Sequence, residues 1–152
     1  MKVTRRRFAS SAAGSAALLS MGAAQADEGK NIHRLAIQVS ESNPAVMTLA
    51  LNNAVNVARH FTGMGQEIEI ELVAYGPGLH MLRDDTSPVK DRVKSVRESL
   101  ADVTFTACGN TIENMEKAEG KKIVLLPRSK VVAAGVVRLM ELQEQGWSYI
   151  RP

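Results

Sequence analysis

Strand-like and helix-like segments alternate along most of this 152-residue chain, and this alternation limits its fold more than any other feature. Residues 33–40 have strand composition, and an apolar helix pattern follows them after Asn43-Pro44, a typical helix start. Residues 67–74 predict a second strand, and a second helix is expected from Ser87 onward. Because strands joined through helices pair in parallel, the sequence predicts an α/β domain with a mainly parallel sheet.

The second half of the chain continues the alternation. The predicted elements are a third strand (103–108), a short helix (111–118), a fourth strand (122–126), a helix that follows residues 127–130 and ends at Gly146, and a short fifth strand (147–151). Asn110, with Glu113 three residues later, is expected to cap the short helix. Four residues are expected to share the buried face of the last helix: Val132, Val136, Leu139 and Met140.

Three glutamates alternate with apolar residues in the second predicted strand, at positions 67, 69 and 71. A strand that is covered on both sides usually reads as a continuous apolar run. One face of this strand must therefore meet water or a polar neighbour.

The first 26 residues read as a twin-arginine export signal. Residues 4–10 hold three consecutive arginines, a weakly apolar segment follows, and Ala24-Gln25-Ala26 is a small-residue cleavage site. That segment is too short and too weakly apolar to anchor in a bilayer, and no cysteine near the cleavage point could carry a lipid. An ordinary secretory signal is the alternative. Either way we expect a mature domain over residues 27–152, located in the periplasm without a membrane anchor.

Cleavage of the signal changes the charge of the protein. Four of the 19 basic residues leave with it, so 15 remain against 16 acidic residues, a net charge of −1. A near-neutral chain lacks the clustered lysines and arginines that bind phosphate backbones. Nucleic acid is therefore not an expected partner.

Cys108 is the only cysteine in the sequence. An internal disulfide, a CxxC redox pair and a haem-attachment motif are therefore impossible, and no histidine spacing indicates a zinc site, so neither a metal nor another cofactor is expected. Cys108 ends the third predicted strand, and open parallel sheets bind ligands at the carboxyl ends of their strands. The same position also suits a small buried core residue.

A helix start beside Cys108 would favour the thiolate only modestly. A helix terminus stabilises an anion by roughly 0.3–1 kcal/mol, so a strong nucleophile would also need a nearby positive group. His80, Arg83 and Arg128 lie on loops that are predicted to open at the same edge of the sheet. They are the candidates for that group.

Three segments of the chain resemble the exported branch of the DsrE/DsrF-like proteins: residues 74–78 (AYGPG), 105–111 (FTACGNT) and 139–150 (LMELQEQGWSYI). The resemblance covers essentially the whole mature chain, and the last segment is the most specific. It implies a three-layer α/β/α domain with a five-stranded parallel sheet, and a homo-oligomer such as a trimer or hexamer. In the best understood cytoplasmic members a cysteine at this strand end accepts sulfur as a persulfide, and Cys108 is the matching position.

The leading hypothesis is a periplasmic thiol-dependent sulfur carrier, or sulfurtransferase-like protein, of sulfur metabolism. Cys108 would accept sulfane sulfur as a persulfide from a small sulfur compound or a sulfur-donor protein, and His80 could orient or protonate the substrate. The substrate-binding candidates are Gly76, Gly78, Gly109, Asn110 and Arg128. The alternative is a non-catalytic oligomeric module that binds a small ligand and in which Cys108 is structural.

Overall fold

The computed structural model describes residues 32–152. The export signal predicted over residues 1–26 lies outside the described residues. Within the described range the elements are β1 (His33–Val39), α1 (Pro44–Gly63), β2 (Ile68–Ala74), a 3-10 helix (Gly76–Leu82), α2 (Lys90–Ser99), β3 (Val103–Cys108), α3 (Gly109–Glu119), β4 (Lys130–Val132), α4 (Gly135–Glu144) and β5 (Ser148–Ile150).

These strands form one parallel sheet in the order β4-β3-β2-β1-β5. Each strand leads through a helix into the next one. Such a crossover returns the chain to the end of the sheet at which the previous strand began, so all strands run in the same direction. The α/β fold with a parallel sheet, predicted from the alternation, is confirmed, and so is the five-stranded sheet that the family resemblance implied. None of the helices in residues 32–152 is long and apolar enough to cross a membrane.

The two faces of the sheet are covered unequally. Helices α1, α2 and α3 pack with the 3-10 helix over the larger apolar core, in which Leu51 and Phe105 are fully buried. On the other face, Leu139 and Leu142 of α4 pack against a small apolar cluster of the sheet. Within the described residues, α4 is the helix that packs on this second face.

Local sequence signals position the first helix correctly. The Asn43 side chain accepts a hydrogen bond from the Ala45 N–H at 2.8 Å, as expected for a helix cap followed by proline. Helix α1 then ends at Gly63, where the sequence predicted it to stop. Helix α2 begins at Lys90 rather than at Ser87, so the predicted Ser-Pro start lies in the preceding turn.

The fourth strand is not where its composition predicted it. Residues 122–126 form no strand of the sheet, because their backbone bonds to residues 82–84, where the 3-10 helix ends: the Asp84 N–H donates to the Val124 carbonyl and the Leu126 N–H donates to the Leu82 carbonyl, each at 2.8 Å. The segment that pairs with the last three residues of β3 is instead Lys130–Val132. The prediction of a strand over 122–126 was wrong.

The last two helices begin at different residues than predicted. Helix α3 starts at Gly109, so Asn110 lies inside its first turn and its side chain caps nothing. Helix α4 starts at Gly135, which places Val132 in β4 and turns Val136 and Met140 outward, each 55% exposed. The predicted capping role of Asn110 was therefore wrong. The predicted buried face of the last helix was wrong for Val132, Val136 and Met140, whereas Leu139 is buried as predicted.

Candidate functional site

Cys108 lies at the carboxyl edge of the sheet, where β3 passes directly into α3. It has extended backbone angles and occupies the cap position of α3, so its side chain sits beside the free N–H groups of the first helical turn. The residue is only 5% exposed. The sequence placed this thiol correctly at a strand end and a helix start.

Two helix starts converge on the Cys108 sulfur. Burial raises the pKa of the thiol, but the Thr111 hydroxyl and the N–H groups of Gly135, Thr111 and Asn110 near the sulfur outweigh burial and leave the pKa below its ordinary value. Gly135 is the first residue of α4, so helices from opposite faces of the sheet both contribute donors. The site therefore stabilises a thiolate through neutral dipoles.

A glycine is required where α4 approaches the thiol. A Cβ atom on Gly135 would lie 3.2 Å from the Cβ of Cys108 and 3.0 Å from that of Tyr75. Both distances are shorter than ordinary van der Waals contacts, so a side chain here would push α4 away from Cys108. Gly109 is similarly close, since a Cβ there would lie 3.1 Å from the Val132 carbonyl oxygen.

Thr111 is a residue of this site that the sequence did not predict. Its Oγ1 accepts a hydrogen bond from the Gly76 N–H at 3.0 Å. With one lone pair engaged by that N–H, the hydroxyl proton is free to point at the sulfur of Cys108. The signal in the sequence was its position three residues after Cys108, the spacing at which capping side chains meet at a helix start.

The 3-10 helix holds the Gly-Pro-Gly segment against the site. Gly76 has a positive φ of 51° and links this segment to Thr111. Gly78 lies so close to the end of β1 that a Cβ would come within 2.1 Å of the Val39 carbonyl oxygen. Gly76 is thus linked to the site by its hydrogen bond to Thr111. Gly78 is needed because no larger residue would fit against the backbone of Val39.

His80 lines a surface groove of about 390 Å³ that adjoins the site. The groove is lined by Gly76, Pro77, His80, Thr111, Asn114, Met115 and Ala118. The His80 Nδ1 lies 2.7 Å from the Thr86 hydroxyl, so one ring nitrogen is already engaged. Thr111 connects this groove to the thiol, because it lines the groove and its hydroxyl lowers the pKa of Cys108.

The two arginine candidates lie elsewhere. Arg128 precedes β4 instead of following a strand, and it lines a different groove beside Arg97 of α2. The buried Arg83 side chain forms ion pairs with Asp85 and Glu119. None of the three candidate cations, His80, Arg83 and Arg128, is among the groups that lower the pKa of Cys108. Substrate binding by Arg128 stays a prediction.

A buried ion pair lies on the second face of the sheet. Arg138 of α4 donates to both carboxylate oxygens of Glu71, at 2.9 and 2.7 Å, and the Thr106 hydroxyl donates to the same carboxylate at 2.7 Å. Burial raises the pKa of Glu71, but these bonds hold it below its ordinary value. Glu71 lies on the polar side of β2, where glutamates alternate with apolar residues. Arg138 of α4 is the polar neighbour that this alternation predicted.

No group of three His, Cys, Asp or Glu side chains in residues 32–152 is arranged to hold a metal ion.

Comparisons with known proteins agree with this architecture. The DsrE/DsrF-like family model matches residues 24–152. A solved structure, that of the protein of unknown function MTH1491 from Methanobacterium thermoautotrophicum, is similar to this chain with a TM-score of 0.66 and 30% sequence identity. The match covers 79% of this chain and 99% of that one. No protein with a curated description matches the chain.

Proposed function

The chain belongs to the DsrE/DsrF-like family, and from this premise we propose that it is a thiol-dependent sulfur carrier in which Cys108 accepts sulfane sulfur as a persulfide. The observation that carries the proposal is the position of Cys108, at the cap of α3 and against the first residue of α4, where a Cβ on Gly135 would lie 3.2 Å from the Cys108 Cβ. The hydroxyl and the N–H groups at these two helix starts lower the pKa of the thiol. Donors so placed favour a thiolate, which is the nucleophilic form of cysteine. They would favour a terminal persulfide anion in the same way.

The proposed step needs no external oxidant. The Cys108 thiolate attacks the sulfane sulfur of a donor such as polysulfide or thiosulfate, and a new S–S bond forms to Cys108. The donor's own S–S bond breaks, and its electron pair leaves with the shortened polysulfide or with sulfite. The protein then carries one extra sulfur atom as a persulfide anion, which an acceptor thiolate can remove by the same exchange.

The approach that we propose for the donor is the groove at His80. This groove shares Thr111 with the groups that lower the pKa of Cys108. His80, with one ring nitrogen engaged by Thr86, is placed to orient a donor or to protonate a leaving sulfur species. Gly76 and Asn114 supply further polar groups along the path.

One observation favours the alternative function. Cys108 is only 5% exposed, and a structural thiol in a non-catalytic ligand-binding module would be buried in the same way. Chemical access to the thiol therefore separates the two functions.

Export and assembly complete the proposal. The predicted twin-arginine signal would place the mature protein in the periplasm, where the sulfur donor would be a small sulfur compound or a sulfur-donor protein. We further propose that the protein forms a homo-oligomer through α4, which exposes Val136, Val137 and Met140 to solvent.

The test is the intact mass of the mature protein after exposure to polysulfide or thiosulfate. We expect an added mass of one or more sulfur atoms that a reductant removes. Because Cys108 is the only thiol, Cys108→Ser should show no addition while keeping its cooperative thermal unfolding. A native thiol that takes up no sulfur and resists alkylation, together with a destabilised serine variant, would favour the binding module instead.

A further inference from the structure

The Glu71–Arg138 ion pair joins β2 to α4 on the second face of the sheet. Glu71 is 3% exposed, and its carboxylate accepts three hydrogen bonds, two from Arg138 and one from Thr106. Thr106 lies two residues before Cys108 on β3, and Arg138 lies three residues after Gly135 on α4. The network therefore ties the first turn of α4 to the two strands beneath it, including the strand that carries the thiol.

We propose that the Glu71–Arg138 pair holds the first turn of α4 against Cys108, where a Cβ on Gly135 would lie 3.2 Å from that of Cys108, and so keeps the Gly135 N–H close to the sulfur. The inference rests on the proposed function for its purpose, since only a reactive thiol needs such a donor. It assigns Glu71 and Arg138 as positioning residues, because neither side chain is among the groups that lower the pKa of the thiol.

An ion pair suits this task better than an apolar contact. A buried salt bridge often contributes little net stability compared with apolar residues of similar volume. What the bidentate pairing of Arg138 with Glu71 adds is orientation, because two parallel N–H···O bonds fix the guanidinium in one plane. The interaction of an N–H group with an acceptor weakens steeply as the N–H group turns away from it. The effect of the Gly135 N–H on the sulfur therefore depends on how α4 is oriented.

Other charges near the pair are few. Glu141, one turn further along α4, approaches Arg138 at 3.6 Å, and the positive charge of Lys130 in β4 acts on Glu71. The neighbouring pair on the same face of the sheet, Arg34 and Glu69, joins at 2.9 Å but is about half exposed and lies on β1 and β2 alone. It offers a matched control with the same chemistry and no link to α4.

The experiment is the pH dependence of iodoacetamide alkylation of Cys108 in the intact protein. The midpoint of the rate profile reports the acidity of the thiol, and the plateau at high pH reports access to it. We expect Arg138→Met to move the midpoint to higher pH and to slow alkylation at neutral pH about three- to tenfold, the loss expected for one hydrogen bond to a charged sulfur. Arg34→Met should leave the midpoint in place.

A second variant covers the case in which Arg138→Met leaves Glu71 buried without its partner and does not fold. Glu71→Leu combined with Arg138→Met removes both charges, keeps the apolar contact of α4, and should move the midpoint in the same direction. An unchanged midpoint in a folded member of this pair, or an equal shift in Arg34→Met, would overturn the inference. Failure of the wild-type protein to take up sulfur would instead contradict the proposed function, whatever the midpoints are.

Discussion

The thiol of Cys108 is surrounded by uncharged donors, and this bears on how its reactivity is set. Burial works against ionisation, while the Thr111 hydroxyl and the N–H groups of two helix starts work for it. Dipoles that are fixed by the backbone need no mobile cation, and because they are buried they are screened little by salt. The Cys108 thiol should therefore react at a rate that depends only weakly on ionic strength.

Thr111 is the donor that a substitution can remove most cleanly. We expect Thr111→Val to raise the pKa of Cys108 and to slow its alkylation at neutral pH by about tenfold, because a hydrogen bond to a charged group contributes roughly 1.5 kcal/mol or more. The same variant leaves the Gly76 N–H without its acceptor, which should lower the free energy of unfolding by about 1 kcal/mol. Alkylation rates across pH and urea unfolding measure the two effects.

Thr111→Ser is the matched control for this prediction. Serine keeps the hydroxyl, so the alkylation profile should stay close to that of the wild-type protein. A valine variant with an unchanged profile would show that the hydroxyl does not act on the sulfur.

At the scale of elements, the far end of α3 is held by a buried arginine. Arg83, which follows the 3-10 helix, is fully buried and donates to both carboxylate oxygens of Asp85 and to Glu119 at the end of α3. Lys121 adds a further bond to Asp85 at 2.9 Å. This cluster joins the two elements that flank the groove, so it keeps the start of α3 and Gly76 in a fixed relation.

This cluster should make the protein sensitive to acid. The Arg83 guanidinium lowers the pKa of Glu119 from 4.5 to about 2 and holds that of Asp85 well below its usual range. A carboxylate with a lowered pKa contributes stability that is fully present above its unfolded pKa and is lost as pH falls through the folded value. We therefore expect the free energy of unfolding to fall between about pH 4.5 and pH 2, as measured by urea unfolding across pH.

Glu119→Gln tests the origin of that acid sensitivity. The variant should be less stable than the wild-type protein at neutral pH, since Arg83 loses a charged partner, and it should lose part of the fall in stability below pH 4.5. Glu98→Gln is the control, because Glu98 meets only Lys94 at 4.0 Å on an exposed surface. Equal acid profiles for Glu119→Gln and the wild-type protein would contradict the assignment.

At the scale of the whole molecule, the outer side of α4 is unusually apolar. Val136, Val137 and Met140 are each about half exposed, and α4 is the helix that covers the second face of the described sheet. Apolar side chains grouped on one exposed helix face are typical of a contact surface between proteins.

We expect Val136→Lys combined with Met140→Lys to abolish self-association. Both side chains are 55% exposed, so the change should leave the unfolding temperature of the monomer nearly unchanged while placing two like charges in the contact. Light scattering at micromolar concentration measures the mass of each form. Val124→Lys is the control, because Val124 is 64% exposed on the loop before β4. A wild-type protein that scatters as a monomer would contradict the proposed assembly.

The sequence alone determined the features that depend on neighbours along the chain. Periodicity and composition located β1, α1, β2 and β3, the Asn43-Pro44 pair located a helix start, and alternation predicted a parallel sheet. They also placed Cys108 at a strand end beside a helix. These signals act over a few residues, where side-chain spacing and capping bonds decide the local conformation.

The tertiary structure alone decided which residues surround the thiol. Residues 122–126 have the better strand composition, yet Lys130–Val132 forms β4, because the backbone of the earlier segment bonds to residues 82–84, where the 3-10 helix ends. That shift moves Arg128 away from Cys108 and starts α4 at Gly135, whose N–H meets the sulfur. Pairing across a sheet joins residues that are distant in sequence, so a local pattern cannot specify it.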